Sequence, residues 1–212
     1  MWVTPILHPA YILRGQYHKE PAQQVTLHRV REGFEPEMDY TQPPVGGILF
    51  PTLEQWEDFV EDTLEEAWGL SIDIENAGPF LICVGFTQIL RSKTFGEWGD
   101  FEVSWSLCLR IRLRGGVQYW SARELPKVAL LLDRLLSSHH LSKVFHNGVT
   151  HDVPLLERMG FDVRGPLVDT MVMFHNCYQE MPKGLQYVCT LMLGSGVWKD
   201  MLDEGDDEDG KT

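Results

Sequence analysis

Apolar residues recur at helical spacing in the segment that follows residue 51. The positions on this stripe are Leu53, Trp56, Val60, Leu64 and Ala67. Thr52 precedes the stripe, and Gln55 lies three residues after Thr52. This is the arrangement of a capping box, in which the side chain of each residue bonds the backbone N–H of the other. The spacing predicts a helix that begins after Thr52 and ends at Gly69.

Alternation of apolar and polar residues replaces the helical period after residue 69. It predicts a first strand over residues 70–75 and a second over residues 80–88. A third strand has its apolar positions at Val103, Trp105, Leu107, Leu109, Ile111 and Leu113. Gly115 and Gly116 suit a two-residue hairpin turn, after which residues 117–120 are expected to return as a strand.

Helical and strand patterns alternate in the second half of the chain. A leucine-rich segment predicts a helix over residues 122–138, and residues 143–146 have the pattern of a short buried strand. Residues 152–159 begin another helical pattern that Gly160 closes, and two more helical stretches cover residues 170–179 and 183–192. This order predicts an α/β fold with a mixed central sheet and helices on both of its faces.

The two ends of the chain lack these periods. Residues 1–50 contain several prolines and are expected to form an arm or linker, and residues 201–212 are expected to form an acidic tail. The folded domain is therefore predicted over residues 51–200.

The composition excludes several classes of protein. The chain has 212 residues, of which 43% are hydrophobic and 23% charged, so it can bury a core and is not globally disordered. No apolar run approaches the roughly 18–20 residues of a membrane-spanning helix, and the first residues lack the pattern of a signal peptide. The four cysteines include no C-x-x-C pair. We expect a cytoplasmic protein that is not secreted, has no membrane partner and keeps its thiols reduced.

The net charge of −13 bears on the partner. Binding to phosphates favours Lys and Arg, so the acidic total at first argues against nucleic acid. Six of the acidic residues lie in the last ten positions, however, and a metal-dependent nuclease needs acidic residues where its cations bind. The charge therefore does not exclude a nuclease.

Asp73 and Glu75 are the first candidates for a chemical role. Residues i and i+2 of a strand point to the same face, so both carboxylates project together while Ile72 and Ile74 face the core. Adjacent carboxylates repel each other unless a cation lies between them, which makes a divalent metal with oxygen ligands one explanation of the pair. The other explanation is an edge strand with a solvated polar face. The pair alone does not decide between them.

A second segment, residues 144–152, runs from a strand end into a helix start and contains Asn147, His151 and Asp152. Together with Asp73-Ile74-Glu75, it resembles the motifs of the DEDD superfamily of 3′–5′ exonucleases, the DnaQ-like proofreading nucleases with a ribonuclease-H-like fold. In that resemblance His151 occupies the place where the family usually has an aromatic residue. The resemblance covers about residues 68–200.

Three shorter segments add to the resemblance. Asp169-Thr170 resembles the Asp-Thr pair that commonly follows the second motif. Pro182-Lys183-Gly184-Leu185 and Val197-Trp198-Lys199 are similar to segments of the bacteriophage-type proofreading domains of family A DNA polymerases. They favour a role in DNA replication or proofreading in a phage or bacterial setting, with a DNA polymerase domain or another replication protein as a partner.

The resemblance implies hydrolysis of phosphodiesters by a two-metal-ion mechanism at a single-stranded 3′ end. Two Mg²⁺ or Mn²⁺ ions would be bound by Asp73, Glu75 and Asp152, which are also the implied catalytic residues. Asp73 would bridge both ions, and Glu75 would hold one ion and contact the 3′-hydroxyl of the terminal nucleotide. Asp152 would ligate the second ion.

Four further residues are candidates for supporting roles. Asn147 and Asn76 are expected to contact the substrate, although capping of the helix before Asp152 explains Asn147 equally well. His151 and Asp169 are accessory candidates, with Asp169 either an extra metal ligand or the cap of the helix that starts at Thr170. Three arginines share one face of the third strand, which suits either a phosphate backbone or an exposed polar surface; they are Arg110, Arg112 and Arg114.

The third motif of the family, Y-x-x-x-D or H-x-x-x-x-D, has no counterpart after Trp198-Lys199, because no Tyr or His follows Tyr187. We infer an incomplete nuclease, either a fragment or a domain whose partner supplies the rest. Two alternatives stay open. One is a catalytically silent nucleic-acid-binding or polymerase-interaction domain. The other is an RNA-trimming exonuclease similar to ribonuclease D, since nothing in the sequence separates DNA from RNA.

The N-terminal arm carries one further resemblance. Residues 2–14 include His8-Pro9-Ala10, which looks like the His-Pro segment near the C-terminus of uracil-DNA glycosylases. Because the other motifs of those enzymes are absent from the sequence, this segment is expected to be a structural remnant rather than a base-binding site.

Overall fold

The computed structural model describes residues 47–90, 105–113 and 115–193. These residues divide into two compact units, of which one ends at Thr170 and the other begins at Met171. Several predicted features lie outside the described residues. They are the N-terminal arm up to residue 46 with its His8 segment, the start of the third predicted strand, Arg114, the Val197–Lys199 segment and the acidic tail.

Six strands form one mixed sheet in the first unit. They are β1 (Gly47–Ile48), β2 (Ala67–Ala77), β3 (Phe80–Leu90), β4 (Ser106–Arg110), β5 (Ser142–Phe145) and β6 (Leu167–Asp169), in the spatial order β1-β4-β3-β2-β5-β6. β2, β3 and β4, which correspond to the three strands predicted first, form an antiparallel meander. β5 runs parallel to β2, β6 runs parallel to β5, and β1 runs parallel to β4.

Five helices accompany the strands in the described part of the chain. They are α1 (Leu53–Glu66), α2 (Leu125–Ser137), α3 (Asp152–Arg158), α4 (Thr170–Cys177) and α5 (Leu185–Leu193). Each corresponds to a helical segment of the sequence prediction, so the predicted α/β class is confirmed. None of these helices combines the length and the apolar character needed to cross a membrane.

The predicted capping box starts α1. The backbone N–H of Gln55 donates to Thr52 Oγ1 at 3.2 Å, and the N–H of Thr52 donates to Gln55 Oε1 at 2.9 Å. The helix ends at Glu66 rather than at Gly69. Gly69 instead lies within β2, where a Cβ would lie 3.1 Å from the carbonyl oxygen of Ser142 on β5. Its role is to let two strands approach, which a local pattern does not reveal.

An aromatic cluster joins α1 to the sheet. The Trp56 ring is completely buried and stacks on Phe59 and on Phe86 of β3, at centroid distances of 6.0 and 5.6 Å. Its Nε1–H donates to the carbonyl oxygen of Val128 on α2 at 3.4 Å. One indole ring therefore contacts both helices and the sheet, and the ring satisfies its polar group while doing so.

The structure differs from the sequence prediction at further element boundaries. Residues 117–120 form no strand, because a single bridge between Arg112 and Gln118 is the pairing found there. α2 begins at Leu125 rather than at residue 122, since Pro126 has no N–H to donate and suits the first turn of a helix. Gly47–Ile48 pair with β4, so the sheet begins before the domain boundary expected at residue 51.

The capping box predicts a measurable change in stability. Thr52→Ala removes the oxygen that accepts the Gln55 N–H, so we expect the free energy of unfolding to fall by about 1 kcal/mol. Thr52→Ser keeps that oxygen and should lose only a few tenths of this value. Urea unfolding of the two variants checks the effect, and equal stabilities would contradict it.

Candidate active site

One face of β2 carries the first two predicted acids. Ile72 and Ile74 are buried, and Asp73 and Glu75 between and after them are exposed, so the predicted alternation is confirmed. In the antiparallel register Asp73 lies opposite Gly85, and Glu75 lies opposite Cys83. We call this side of the sheet the acid face.

β3 pairs with one edge of β2, and Asp152 contacts the other edge of β2. β5 pairs with β2 only as far as Ser71, so β2 continues beyond the end of its parallel neighbour. The N–H of Ile74 donates to Asp152 Oδ1 at 3.3 Å, and this carboxylate belongs to the first residue of α3. The Asp152 side chain therefore takes the place of a strand partner, and it bonds the backbone of the residue that follows Asp73.

The surroundings of Asp152 disfavour its negative charge. Burial raises the pKa of the Asp152 carboxyl above its ordinary value, and the charge of Asp73 raises it further. The charge of His151 and the backbone N–H groups of Ile74 and Asp152 act in the opposite direction. Two carboxylates that repel each other in a partly desolvated place are relieved by a cation between them. The donor chemistry of this pair suits a divalent ion with oxygen ligands.

Glu75 shares the acid face but does not complete a three-ligand cluster. Its charge is felt by the Cys83 thiol opposite it. Within residues 47–90, 105–113 and 115–193, no group of three or more His, Cys, Asp or Glu side chains is arranged to hold a metal ion. The structure thus brings Asp73 and Asp152 together and leaves Glu75 on the neighbouring row of the same face.

Small residues keep the acid face open beside Asp73. Gly85 stands opposite Asp73, and Cys108 of β4 stands opposite Gly85. They help to line a cavity of about 240 Å³ together with Ser71, Asp73, Thr87 and Ser106. The space beside the carboxylate is large enough for a ligand group to approach.

Two half-buried cysteines lie on this face. Cys83 and Cys108 are diagonal neighbours on β3 and β4, and their thiols hydrogen-bond to each other. That bond raises the pKa of Cys83 and lowers the pKa of Cys108.

The loop before α3 is held in one conformation. Asn147 has a left-handed backbone with φ of 68°, which asparagine tolerates better than most residues. Its Oδ1 accepts a hydrogen bond of 2.6 Å from the Thr150 hydroxyl. Gly148 approaches Phe145 so closely that a Cβ would lie 2.2 Å from the Phe145 Cβ. The position of Asp152 at the end of this loop depends on both residues.

Asp169 organises the same loop, which the sequence did not reveal. Its two carboxylate oxygens accept the N–H groups of Asn147 at 3.0 Å and Val149 at 3.2 Å. These bonds make Asp169 a positioning residue for the loop, and its two predicted roles, extra metal ligand or helix cap, stay predictions. No local sequence pattern marks this role, because it follows from the parallel pairing of β5 with β6, which puts Phe145 beside Asp169.

The other supporting candidates are engaged in local bonds. Asn76 Nδ2 donates to the carbonyl oxygen of Gly78 at 2.8 Å, within the turn between β2 and β3. His151 is exposed and precedes α3 without capping it through its side chain. The N-cap residue of α3 is His151, and the Asn147 side-chain oxygen accepts the Thr150 hydroxyl within the loop before it. Contact of Asn147 or Asn76 with a substrate stays a prediction.

No protein-family model and no curated protein matches the sequence. Among solved structures, RNase D of Trypanosoma brucei in complex with RNA U12 aligns with a TM-score of 0.52 and 16% identity, over 76% of this chain and 51% of that one. The chain therefore spans about half the length of the RNase D chain. This alignment confirms the predicted ribonuclease-H-like fold.

Two further structures align less well. The EXO domain of Aedes aegypti Nibbler has a TM-score of 0.47 and 9% identity, over 78% of this chain and 77% of that one. Brucella melitensis NrnC with bound Mg²⁺ has a TM-score of 0.43 and 17% identity, over 72% of this chain and 62% of that one.

The buried charge of Asp152 should cost stability. Asp152→Asn removes the charge and keeps an oxygen for the Ile74 N–H, so we expect the free energy of unfolding at neutral pH to rise by about 0.5–2 kcal/mol. Because the folded-state pKa of Asp152 is raised, the wild-type penalty is full above that pKa and disappears as the pH falls below the pKa of the unfolded chain. The gain should therefore shrink on acidification.

Urea unfolding from mildly acidic to neutral pH measures this difference. Asp58→Asn, an exposed position on α1, is the matched control and should show no such gain. A variant at Asp152 that is less stable than the wild type at neutral pH would show that the carboxylate stabilises the fold.

The close approach of Gly148 to Phe145 makes a separate prediction. Gly148→Ala should destabilise the protein by about 1–3 kcal/mol, because the added Cβ overlaps the Phe145 side chain. Gly184→Ala is the control, since nothing lies within 4 Å of a Cβ there. Thermal unfolding of both variants is the measurement, and equal midpoints would refute the steric argument.

Proposed function

We propose that the chain is a metal-dependent 3′–5′ exonuclease domain that hydrolyses phosphodiesters. The single observation that carries this proposal is the Asp152 carboxylate, which is buried and bonded to the backbone of the strand that bears Asp73. Burial raises the pKa of this carboxyl, and the charge of Asp73 raises it further. A carboxyl group whose pKa is shifted by burial and by a nearby charge is a common feature of catalytic centres. The ribonuclease-H-like fold agrees with this assignment.

The residues of this chain have distinct proposed roles. Asp73 and Asp152 hold divalent ions, and Glu75 contributes from the next row of the acid face while contacting the 3′-hydroxyl. Mg²⁺ or Mn²⁺ suits these ligands, and a pair of such ions, when bound, supplies activation of a water and stabilisation of the leaving oxygen. Asp169 and Gly148 fix the loop that places Asp152.

RNA is the substrate that the comparison favours. The T. brucei RNase D structure was solved with RNA U12, and its fold is similar to that of this chain. A trimming activity of the RNase D type is therefore the first form of the proposal. DNA proofreading beside a polymerase or another replication protein rests on the short sequence resemblances alone and is the second form.

A silent nucleic-acid-binding or polymerase-interaction domain is the second candidate function. One observation favours it, namely that no three described His, Cys, Asp or Glu side chains are arranged to hold a metal ion. The burial of the Asp152 carboxylate next to Asp73 argues against this second candidate. It costs folding free energy, and a domain that only binds nucleic acid gains nothing from that negative charge.

Digestion of labelled single strands tests the proposal. We expect the purified 212-residue chain to shorten a 5′-labelled RNA from its 3′ end with Mg²⁺ or Mn²⁺ and to leave it intact with EDTA. Asp73→Asn should slow the reaction at least about a hundredfold, because a metal-bound carboxylate acts on the transition state. A DNA strand of the same sequence, run in parallel, separates the two forms of the proposal.

The matched control is Asp162→Asn, an exposed acid that follows α3. It should cut at the wild-type rate. A folded wild-type chain that cuts neither strand with either metal would overturn the nuclease and leave the binding domain. Equal cleavage rates in the wild type and Asp73→Asn would show that the site at Asp73 is not responsible for the cleavage.

A further inference from the structure

A second cavity lies beside the acid face and has a different chemical character. Its volume is about 500 Å³, and its lining includes Ala77, Phe80, Arg110, Arg112, Gly115 and Gly116. We call it the arginine–phenylalanine cavity. It combines two guanidinium groups with an aromatic ring in a chain whose net charge is −13.

The register of the sheet connects this cavity to the candidate active site. Glu75 lies opposite Cys83, and Cys83 lies opposite Arg110, so the three residues form one row across β2, β3 and β4. Residues in such a row point to the same face. Arg110 is therefore on the acid face, two strand spacings of about 4.8 Å each from Glu75. Arg112 lies two residues farther along the chain and lines the same cavity.

The two arginines are placed by aromatic rings rather than by acids. The Arg112 guanidinium lies 5.1 Å from the centroid of the Phe80 ring, and the Arg110 guanidinium lies 4.6 Å from that of Phe50. Arg112 also donates to the carbonyl oxygen of Gly116 at 3.1 Å. Neither arginine forms an ion pair with an acidic side chain in the described part of the chain.

Two features of the cavity point to a ligand. Arg110 Nε is buried and has no hydrogen-bond partner among the described residues. The Phe80 side chain is 56% exposed, although it is a large apolar ring. A ligand with a phosphate would supply an acceptor for the Arg110 Nε–H, and a flat base on the same ligand would cover the exposed Phe80 ring.

We propose that the arginine–phenylalanine cavity binds single-stranded nucleic acid upstream of its 3′ end. Arg110 and Arg112 receive backbone phosphates, and a base stacks on Phe80. Proteins that bind single-stranded nucleic acid without sequence preference commonly combine basic side chains with exposed aromatic rings. The assignment rests on the proposed function, because the acid face would hold the terminal nucleotide of the same strand.

Binding without cleavage tests the cavity. Fluorescence anisotropy of a labelled dodecamer, as RNA and as DNA, is measured with the full chain in EDTA. Arg112→Ala should weaken binding about tenfold and lower the slope of log affinity against log salt by about 0.7, the value for one lost contact to a single strand. Arg123→Ala removes the same charge at an exposed position outside the cavity and should change neither quantity.

A second pair of variants reports on base stacking. Phe80→Leu should weaken dodecamer binding about tenfold while Phe80→Tyr keeps it within about twofold, because tyrosine retains the stacking ring. Urea unfolding of each variant shows that the fold is kept.

The outcomes separate this proposal from the nuclease. Equal dodecamer affinities for Arg112→Ala and Arg123→Ala would overturn the cavity assignment, even if the wild type cuts RNA. A polyglutamate of equal charge that binds as tightly as the dodecamer would also overturn it, since the cavity would then accept any polyanion. Loss of dodecamer binding in Arg112→Ala, in a protein that cuts nothing, would support the cavity and refute the nuclease.

Discussion

The hydrogen bond from the Ile74 N–H to Asp152 Oδ1 joins the two segments that carry the candidate acids. It exists because β2 runs farther than its parallel neighbour β5, which leaves backbone donors of β2 without a strand partner. A buried N–H must be paired, and here a carboxylate pairs it. The geometry of the strand therefore decides where the acid of the helix lies relative to Asp73.

That bond is supported by the end of β5 and β6. Thr170 donates its hydroxyl to the carbonyl oxygen of Phe145 at 3.0 Å and bonds His146 Nδ1 at 2.9 Å, while Asp169 holds the loop that follows. Since parallel strands end at the same edge of a sheet, Asp169 at the end of β6 and Thr170 directly after it both reach the loop that follows β5. These bonds hold the loop at the end of β5 and β6, and the position of Asp152 therefore depends on this edge of the sheet.

Features that depend on local spacing were predictable from the sequence, and features that depend on pairing were not. The α1 capping box and the alternation around Asp73 need only residues a few positions apart. The role of Asp169, by contrast, follows from a contact across 20 or more positions. Lys143 is similar, because its completely buried ammonium donates to the carbonyl oxygens of Ser138 and Arg164, and burial lowers its pKa to about 8.

The row structure of the sheet gives the acid face its order of charges. Asp73, Gly85 and Cys108 form one row, and Glu75, Cys83 and Arg110 form the next, so negative and positive groups lie at opposite ends of a short path. A phosphodiester is repelled at the acidic end and attracted at the basic end. Only a cation at Asp73 and Asp152 would let a nucleic-acid strand extend from the arginines to the acids. The arginines at the basic end and a cation at the acidic end would therefore act on the same nucleic-acid strand.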